Sequence, residues 1–327
     1  MPVQSTRRKS PVVAHSERMG LSYHGAKADL NRRKREALIE GLFQGIPHVP
    51  DKSIIGYLPW EERRRKLHKK FLGVRKALLL TDLHVPYQDI ELIQEALRRD
   101  GDADLGVWGG DFLTVSAFSS FARYEGTPFE KELSVGERLI ADACKVVPSW
   151  LMLMGNHERR LLRHLVERMS PDGLKLVRDH FPNILDILVQ AANENVRGSL
   201  PIDVMYDWWL MVGDVAICHA DEFSQVPGRS VTNVWDWFRN HKEGRYGVWP
   251  SKPIRAVVQA HTHHLVNLVY QEVRAFETGC LCYDEGYKRM GKLGAGKKER
   301  WQRGYVVLEF DGKGRCDLNA SRFVHLA

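Results

Sequence analysis

The run Trp150–Met154 is apolar throughout and stops at Gly155, and Asn156, His157 and Glu158 follow at once. An apolar run of this length without alternation suits a strand buried on both faces. Helical spacing resumes at Leu161, Leu162 and Leu165. The same arrangement recurs four times. Ala77–Leu80 precedes Asp82 and His84, Asp104–Trp108 precedes Gly110 and Asp111, Val215–Cys218 precedes His219, and Ala256–Val258 precedes His261 and His263. In an open α/β sheet, ligands collect at the carboxyl ends of strands. Five such ends, each carrying Asp, Asn or His, predict a single site.

Between these strands the chain alternates. A strand over Ala77–Thr81 is followed by a helix with Ile90, Ile93, Ala96 and Leu97 on one face. Asp104–Trp108 is followed by a helix from about Lys131 to Val146. Helices are also predicted near Glu158–Met169 and Asp172–Phe181. The pattern then changes. Met205–Val212 and Val215–His219 read as a hairpin turning at Gly213-Asp214, and Ile254–Gln259, Leu265–Ala275, Tyr305–Phe310 and Arg315–Phe323 as further strands. A βαβαβ half thus gives way to a hairpin-rich half.

The net charge of +7 is unevenly spread: residues 1–76 hold 18 Lys and Arg against 7 Asp and Glu, and the remainder is slightly acidic. We read residues 1–75 as a basic, partly disordered and partly helical N-terminal extension, with helices from Asn31 (Leu38, Ile39, Leu42, Phe43 and Ile46 on one face) and after Pro59. Residues 76–327 form the main domain. A basic arm suits polyanions such as nucleic acid, and suits a solvated extension equally. No apolar run approaches the roughly 18 residues of a membrane span. Nothing apolar follows Arg7, Arg8 and Lys9 as it would in a secretory signal. Five scattered cysteines point to reduced thiols in the cytoplasm. Cys280-x-Cys282 lacks a matching pair at zinc-ligand spacing and reads as structural.

The strand-end residues are Asp82, His84, Asp111, Asn156, His157, His219, His261 and His263. Carboxylate, carboxamide and imidazole donors without thiolate suit Mn, Fe, Zn or Ni. So many donors favour two adjacent divalent ions, which activate water for attack on phosphorus. Singly the motifs are weak: Gly155-Asn156-His157-Glu158 also reads as a capped helix start.

Together, Asp82-x-His84, Gly110-Asp111, Gly155-Asn156-His157-Glu158, His219 and His261-x-His263 resemble the calcineurin-like metallophosphoesterase superfamily over about residues 75–323. The resemblance implies a four-layer α/β sandwich, with two mixed β-sheets flanked by helices. It implies that Asp82, His84 and His263 hold one ion and Asn156, His219 and His261 the other, with Asp111 bridging and manganese first among the metals. It also implies that a metal-bridging hydroxide attacks while His157 assists the leaving group, with Asp111 counted among the catalytic residues. Ala220 and Gln259-Ala260 stand where the family usually has glycine. Phe112-Leu113-Thr114 lacks both the histidine of the nuclease branch and the Asp-Arg-Gly of the Ser/Thr phosphatase branch. The general resemblance is to compact bacterial and phage-encoded members.

Substrate contacts are read from cations and aromatics near these motifs. Arg159 and Arg160 follow His157 at a helix start suited to anions. Arg123 lies with Phe118, Phe121 and Tyr124 in one loop. Trp235 and Arg239 lie in a segment with Trp237, Phe238, His241, Lys242, Arg245, Tyr246 and Trp249. Such segments stack bases, or pack a small core of their own, as Trp235 and Phe238 at helical spacing would. The reading favours a phosphodiester, nucleic acid included, with residues 1–76 as its docking arm. A phosphomonoesterase acting on nucleotides or phosphoproteins is the alternative, and a non-catalytic scaffold a third. Gly291–Lys298 mimics a Walker A loop but lacks its final Ser or Thr.

Overall fold

Strand β1 (Lys76–Leu80, KALLL) has no polar alternation because both its faces are covered; only Lys76 is partly exposed. The computed structural model describes residues 58–118, 128–170, 183–240, 253–283 and 301–326. In chain order these form α1 (Leu58–Lys70), β1, α2 (Ile90–Asp100), β2 (Leu105–Trp108), a 3₁₀ turn (Ser116–Phe118), α3 (Phe129–Ala143), β3 (Trp150–Leu153), α4 (Arg159–Arg168) and α5 (Ile184–Val196). They continue with β4 (Ile202–Met205), β5 (Trp209–Val212), β6 (Val215–Cys218), α6 (Arg229–Asn240), β7 (Ala256–Gln259), β8 (Leu265–Tyr270), β9 (Val273–Thr278), β10 (Gly304–Phe310) and β11 (Cys316–His325). The predicted helices from Asn31 and over Asp172–Phe181 lie outside the described residues. So do Phe121, Arg123, Tyr124, the segment 241–252 and the loop 291–298.

Two mixed sheets result, ordered β11-β10-β1-β2-β3-β4 and β5-β6-β7-β9-β8. In the first, β1 through β4 run parallel, with Leu79 opposite Val107 and Val107 opposite Leu151. The helices between them supply the long connections that parallel pairing requires. Three apolar layers hold the sheets and helices together. Ile93, Ile140 and Leu185 from α2, α3 and α5 cover one face of the first sheet, where the Trp108 and Trp150 rings stack 4.2 Å apart. Leu79, Val107 and Leu151 face Ile217, Val258 and Phe276 between the sheets. Val234, Trp235 and Phe238 of α6 cover the far face of the second sheet. The order helix, sheet, sheet, helix is the four-layer sandwich that the motifs implied. No helix among the described residues is long and apolar enough to cross a membrane.

Two strand predictions need correction. Met205–Val212 is not one strand: β4 ends at Met205 in the first sheet, and β5 begins at Trp209 in the second. An unbroken apolar run cannot reveal a crossing between sheets when both ends are buried. Leu265–Ala275 is a hairpin, β8 to β9, turned by Gln271 in left-handed backbone (φ 53°).

Helix α1, read from its charge as part of the extension, packs with the sheets. Leu67, Phe71 and Val74 belong to the layer between them, and the compact unit begins at Ile55. Its cations dock it. Arg64 is 5% exposed, lies 3.9 Å from the Trp209 ring, donates to the Trp209 carbonyl and pairs with Asp207. Arg63 donates to the Val204 carbonyl, and Lys70 pairs with Asp203 at 2.5 Å. Arg64→Ala would leave Asp207 without this partner and remove the stacked contact. A loss of roughly 3 kcal/mol is expected from chemical denaturation, the low end for breaking a buried pair because Asp207 is partly exposed. A change near zero would show that the helix is held by its apolar face alone.

Candidate metal centre

The strand ends do not simply stop; they turn through backbone that side chains rarely adopt. Among the described residues, eight non-glycines have φ in the left-handed region, and five are Asp82, His84, Asp111, His261 and His263. Such conformations cost about 1–3 kcal/mol each and persist where the surroundings over-determine them. Here the surroundings are backbone hydrogen bonds between neighbouring loops. Asp82 N–H donates to the Gly110 carbonyl, His84 N–H to Asp111 and Val85 N–H to Phe112. Thr114 returns the tie, donating through its amide to Val85 and through its hydroxyl to His84. The loops after β1 and β2 are therefore one hydrogen-bonded unit.

Glu158 joins the loop after β3 to it. This fully buried carboxylate accepts from the amides of Gly155 (2.9 Å), Asp111 (3.1 Å) and Leu113 (2.9 Å). Its place in the Gly155–Glu158 motif was visible in sequence, but its partners lie in another loop and no spacing rule could supply them. Burial, then the nearby Asp111 carboxylate, push its carboxyl up to about 7 against the pull of those amides. Two glycines are required by close approach. A Cβ on Gly155 would lie 2.2 Å from Asp111, and one on Gly110, at φ 96°, would lie 2.4 Å from His219 Nδ1.

The structure brings all eight strand-end residues together. His84 Nε2 lies 3.1 Å from His263 Nε2 and 4.0 Å from Asp111 Oδ2, and His263 Nε2 lies 3.3 Å from Asp82 Oδ1. On the other side of Asp111, His219 Nε2 is 3.2 Å from Asp111 Oδ1 and 3.2 Å from Asn156 Oδ1. Two groups with metal-ligand spacing overlap at Asp111: one with His84 and His157, the other with His219 and His261. The Asn156 amide, turned to present its nitrogen, meets His261 Nδ1 at 2.9 Å, His219 Nε2 at 3.2 Å and the Asp111 carboxylate at 2.9 and 3.2 Å. Lone pairs thus converge on one point from four residues, a set that a cation satisfies better than an amide. The donors fit divalent metal ions.

Electrostatics agree with that fit. Burial opposes charge on Asp111, but His157 and His219 outweigh it and hold the carboxyl well below its usual range. Burial likewise opposes charge on His219, yet Asp111 and Asp82 carry it up to about 9. On His263, Cys280 and Asp82 do the same, again to about 9. His84, facing His263, is pushed down to about 3 by burial, with His263 and Arg160 adding to it. The facing imidazoles thus share one proton. Protons on His219 and His263 balance the two buried carboxylates, and metal ions would displace them.

His157 stands beside this cluster. Its Nδ1 contacts the Thr114 carbonyl at 3.0 Å, so Nε2 faces Asp111 Oδ2 (3.7 Å) and Arg160 (2.5 Å). Burial lowers its pKa well below the ordinary value. Of the predicted substrate residues, Arg160 is at the site. Arg159 is beside it but paired with Asp221 at 2.7 Å. Trp235 and Arg239 are not brought there: Trp235 is 1% exposed in the α6 layer, and Arg239 bonds Gln271. Their helical spacing recorded core packing. Arg123 lies outside the described residues. Cys282, read as structural, has metal-ligand spacing to His84 and His263.

A model of the calcineurin-like phosphoesterase family matches residues 75–276. The chain belongs to that family, whose members hydrolyse phosphoester bonds with divalent metal ions. Solved structures similar to it include an archaeal phosphodiesterase, at 13% identity over 77% of this chain and 99% of that one, with a TM-score of 0.35. Another is vacuolar protein sorting 29 of Cryptosporidium parvum, at 11% identity, coverage of 78% and 99%, and a TM-score of 0.37. A third is the phosphoesterase Yfce of E. coli, at 14% identity, coverage of 77% and 98%, and a TM-score of 0.33. No curated protein matches in sequence.

Glu158→Gln would offer one acceptor oxygen where three amides now share two. Its expected effect is a ~10- to 100-fold loss of metal affinity with the fold retained, as for other groups that orient ligands. Equilibrium dialysis against Mn²⁺ measures it, and unchanged affinity would remove the positioning role. Metal uptake at pH 7 is also expected to release protons, because His219 and His263 give theirs up. Calorimetric enthalpies should then vary with the ionisation enthalpy of the buffer.

Proposed function

We propose that this protein is a dinuclear metal-dependent phosphodiesterase. The supporting observation is the convergence of Asp82, His84, Asp111, Asn156, His219, His261 and His263 on two neighbouring positions that share Asp111. Asp82, His84 and His263 would hold one ion, and Asn156, His219 and His261 the other, with Asp111 between them. Manganese heads the candidates, and iron, zinc and nickel also accept such donors. When bound, two divalent ions polarise the phosphoryl group and activate water.

The chain's own side chains supply the rest. The Arg160 guanidinium rests on His157 Nε2 and the Thr114 carbonyl in the free protein. An arriving phosphate, charged and able to accept through two oxygens, is a stronger partner for it. Arg160 moving to the phosphate frees His157 Nε2 to hold a proton for the leaving oxygen, while Thr114 keeps the ring oriented through Nδ1. Among the described residues, Arg160 is the one guanidinium that contacts His157, since Arg159 is neutralised by Asp221. One cation in contact with His157, among the described residues, matches the single charge of a diester better than the double charge of a monoester.

Nucleic acid is the diester that the basic arm favours. Three of α1's cations, Arg63, Arg64 and Lys70, are used for docking, and residues 1–54 hold a further ten Lys and Arg against five Asp and Glu. Deleting residues 1–54 is expected to weaken binding to single- and double-stranded DNA and to flatten its dependence on salt. Unchanged binding would leave the arm without this role.

The main test is Mn²⁺-dependent hydrolysis after chelation, with a phosphodiester reporter, a phosphomonoester reporter and DNA compared. His157→Ala is expected to lower kcat on the diester by ~10²- to 10⁴-fold with KM little changed, and Arg160→Ala to raise KM. Preference for the monoester would move the protein to the phosphomonoesterase reading. Bound metal without turnover of any substrate would make it a scaffold.

A further inference from the structure

We infer that Cys282 is a thiolate ligand of the metal position held by His84 and His263, and makes that position the thiophilic one. This rests on the metal-centre reading above. The ligand atoms of His84, His263 and Cys282 all lie within 4.8 Å of one another, close enough to bind one ion. All three residues are buried, with Cys282 1% exposed.

A buried cysteine is more often a small apolar filler than a ligand, and this chain holds both kinds for comparison. Cys218 and Cys316 sit within the apolar layers, Cys218 under α6 and Cys316 between the sheets. Cys282 is equally buried but belongs to none of the three layers. Its neighbours with donor atoms include the two imidazoles and the Cys280 thiol, which it hydrogen-bonds. Its backbone is also held to the segment that follows His84. Leu281 accepts from Asp89 N–H at 2.9 Å, Tyr283 N–H donates to Tyr87 at 2.8 Å, and Cys282 itself bridges to Gln88. The hydrogen-bonded loop that presents His84 therefore presents the thiol as well.

On coordination the thiol loses its proton to solvent, and the sulfur lone pair fills a metal orbital; no redox change is involved. A sulfur donor beside two imidazoles and a carboxylate favours zinc, iron or cobalt over manganese. The position formed by Asn156, His219 and His261 has nitrogen and oxygen donors only. The two positions thus differ in softness, and the manganese expectation drawn from a thiol-free donor set holds for one of them.

Cobalt(II) reports sulfur ligation directly through a thiolate-to-cobalt charge-transfer band in the near ultraviolet. The full-length protein, stripped of metal and titrated with cobalt, is expected to show this band in the wild type and in Cys280→Ser, and to lose it in Cys282→Ser. Zinc-over-manganese preference, read by elemental analysis after competitive loading, is expected to fall ~10- to 100-fold in Cys282→Ser, a range typical even of groups outside the ligand shell. Cobalt bound with ligand-field bands but no charge-transfer band overturns the assignment and leaves the metal centre standing. So does a band that survives in Cys282→Ser. No cobalt uptake at all overturns the metal centre together with this inference. If Cys282→Ser does not fold, the band in the wild type and its persistence or loss in Cys280→Ser decide the point.

Discussion

Leu79, Val107 and Leu151 on one sheet pack against Ile217, Val258 and Phe276 on the other, and this dry contact sets where every candidate ligand can be. β1, β2 and β3 run parallel, as do β6 and β7, so their carboxyl ends open at one side of each sheet. The apolar layer holds those two sides together. Asp82, Asp111 and Asn156 then face His219 and His261 across the join. Side chains that close to one another could not be aligned by local turn chemistry, because their sequence separation exceeds a hundred residues for several pairs. Interiors packed to crystal-like density permit little drift in that separation.

The site adds cost to this frame. Five candidate ligands sit in left-handed backbone, and two carboxylates are buried at its centre. What offsets the strain is a set of hydrogen bonds that belong to no helix or strand. Glu158 gathers three amides; Glu132 likewise accepts from Val115 and Ser116, and Glu277 from Gly228 and Val231. Three fully buried glutamates thus act as connectors for loops rather than as acids. Converging N–H donors satisfy their buried oxygens, which is what makes an inward-facing carboxyl tolerable.

Charge in α1 follows similar logic. A run such as Arg63-Arg64-Arg65-Lys66 reads as a polyanion-binding or solvated face, because sequence carries sign but not partners. In the fold, at the edge where β4 ends and the chain crosses to β5, Asp207 takes up Arg64, on which Trp209 stacks, and Asp203 takes up Lys70 further along the helix. The segment is a plug for the open edge of the sandwich.

The sequence by itself determined the α/β alternation, the strand ends and the candidate ligands placed at those ends. Those are local properties: an apolar run, a glycine, then a donor. It also carried Trp235 and Phe238 at helical spacing, which is what a packed helix face requires. Only the tertiary structure decided which distant groups meet. It split Met205–Val212 between two sheets, because burial on both sides looks the same in either. It set Arg159 on Asp221 and Arg160 on His157, although the two are adjacent in the chain, because successive helical residues point about 100° apart. It also moved Cys282 beside His84 and His263. No spacing rule links a thiol to histidines in separate loops; packing of the loops after β1, β7 and β9 does.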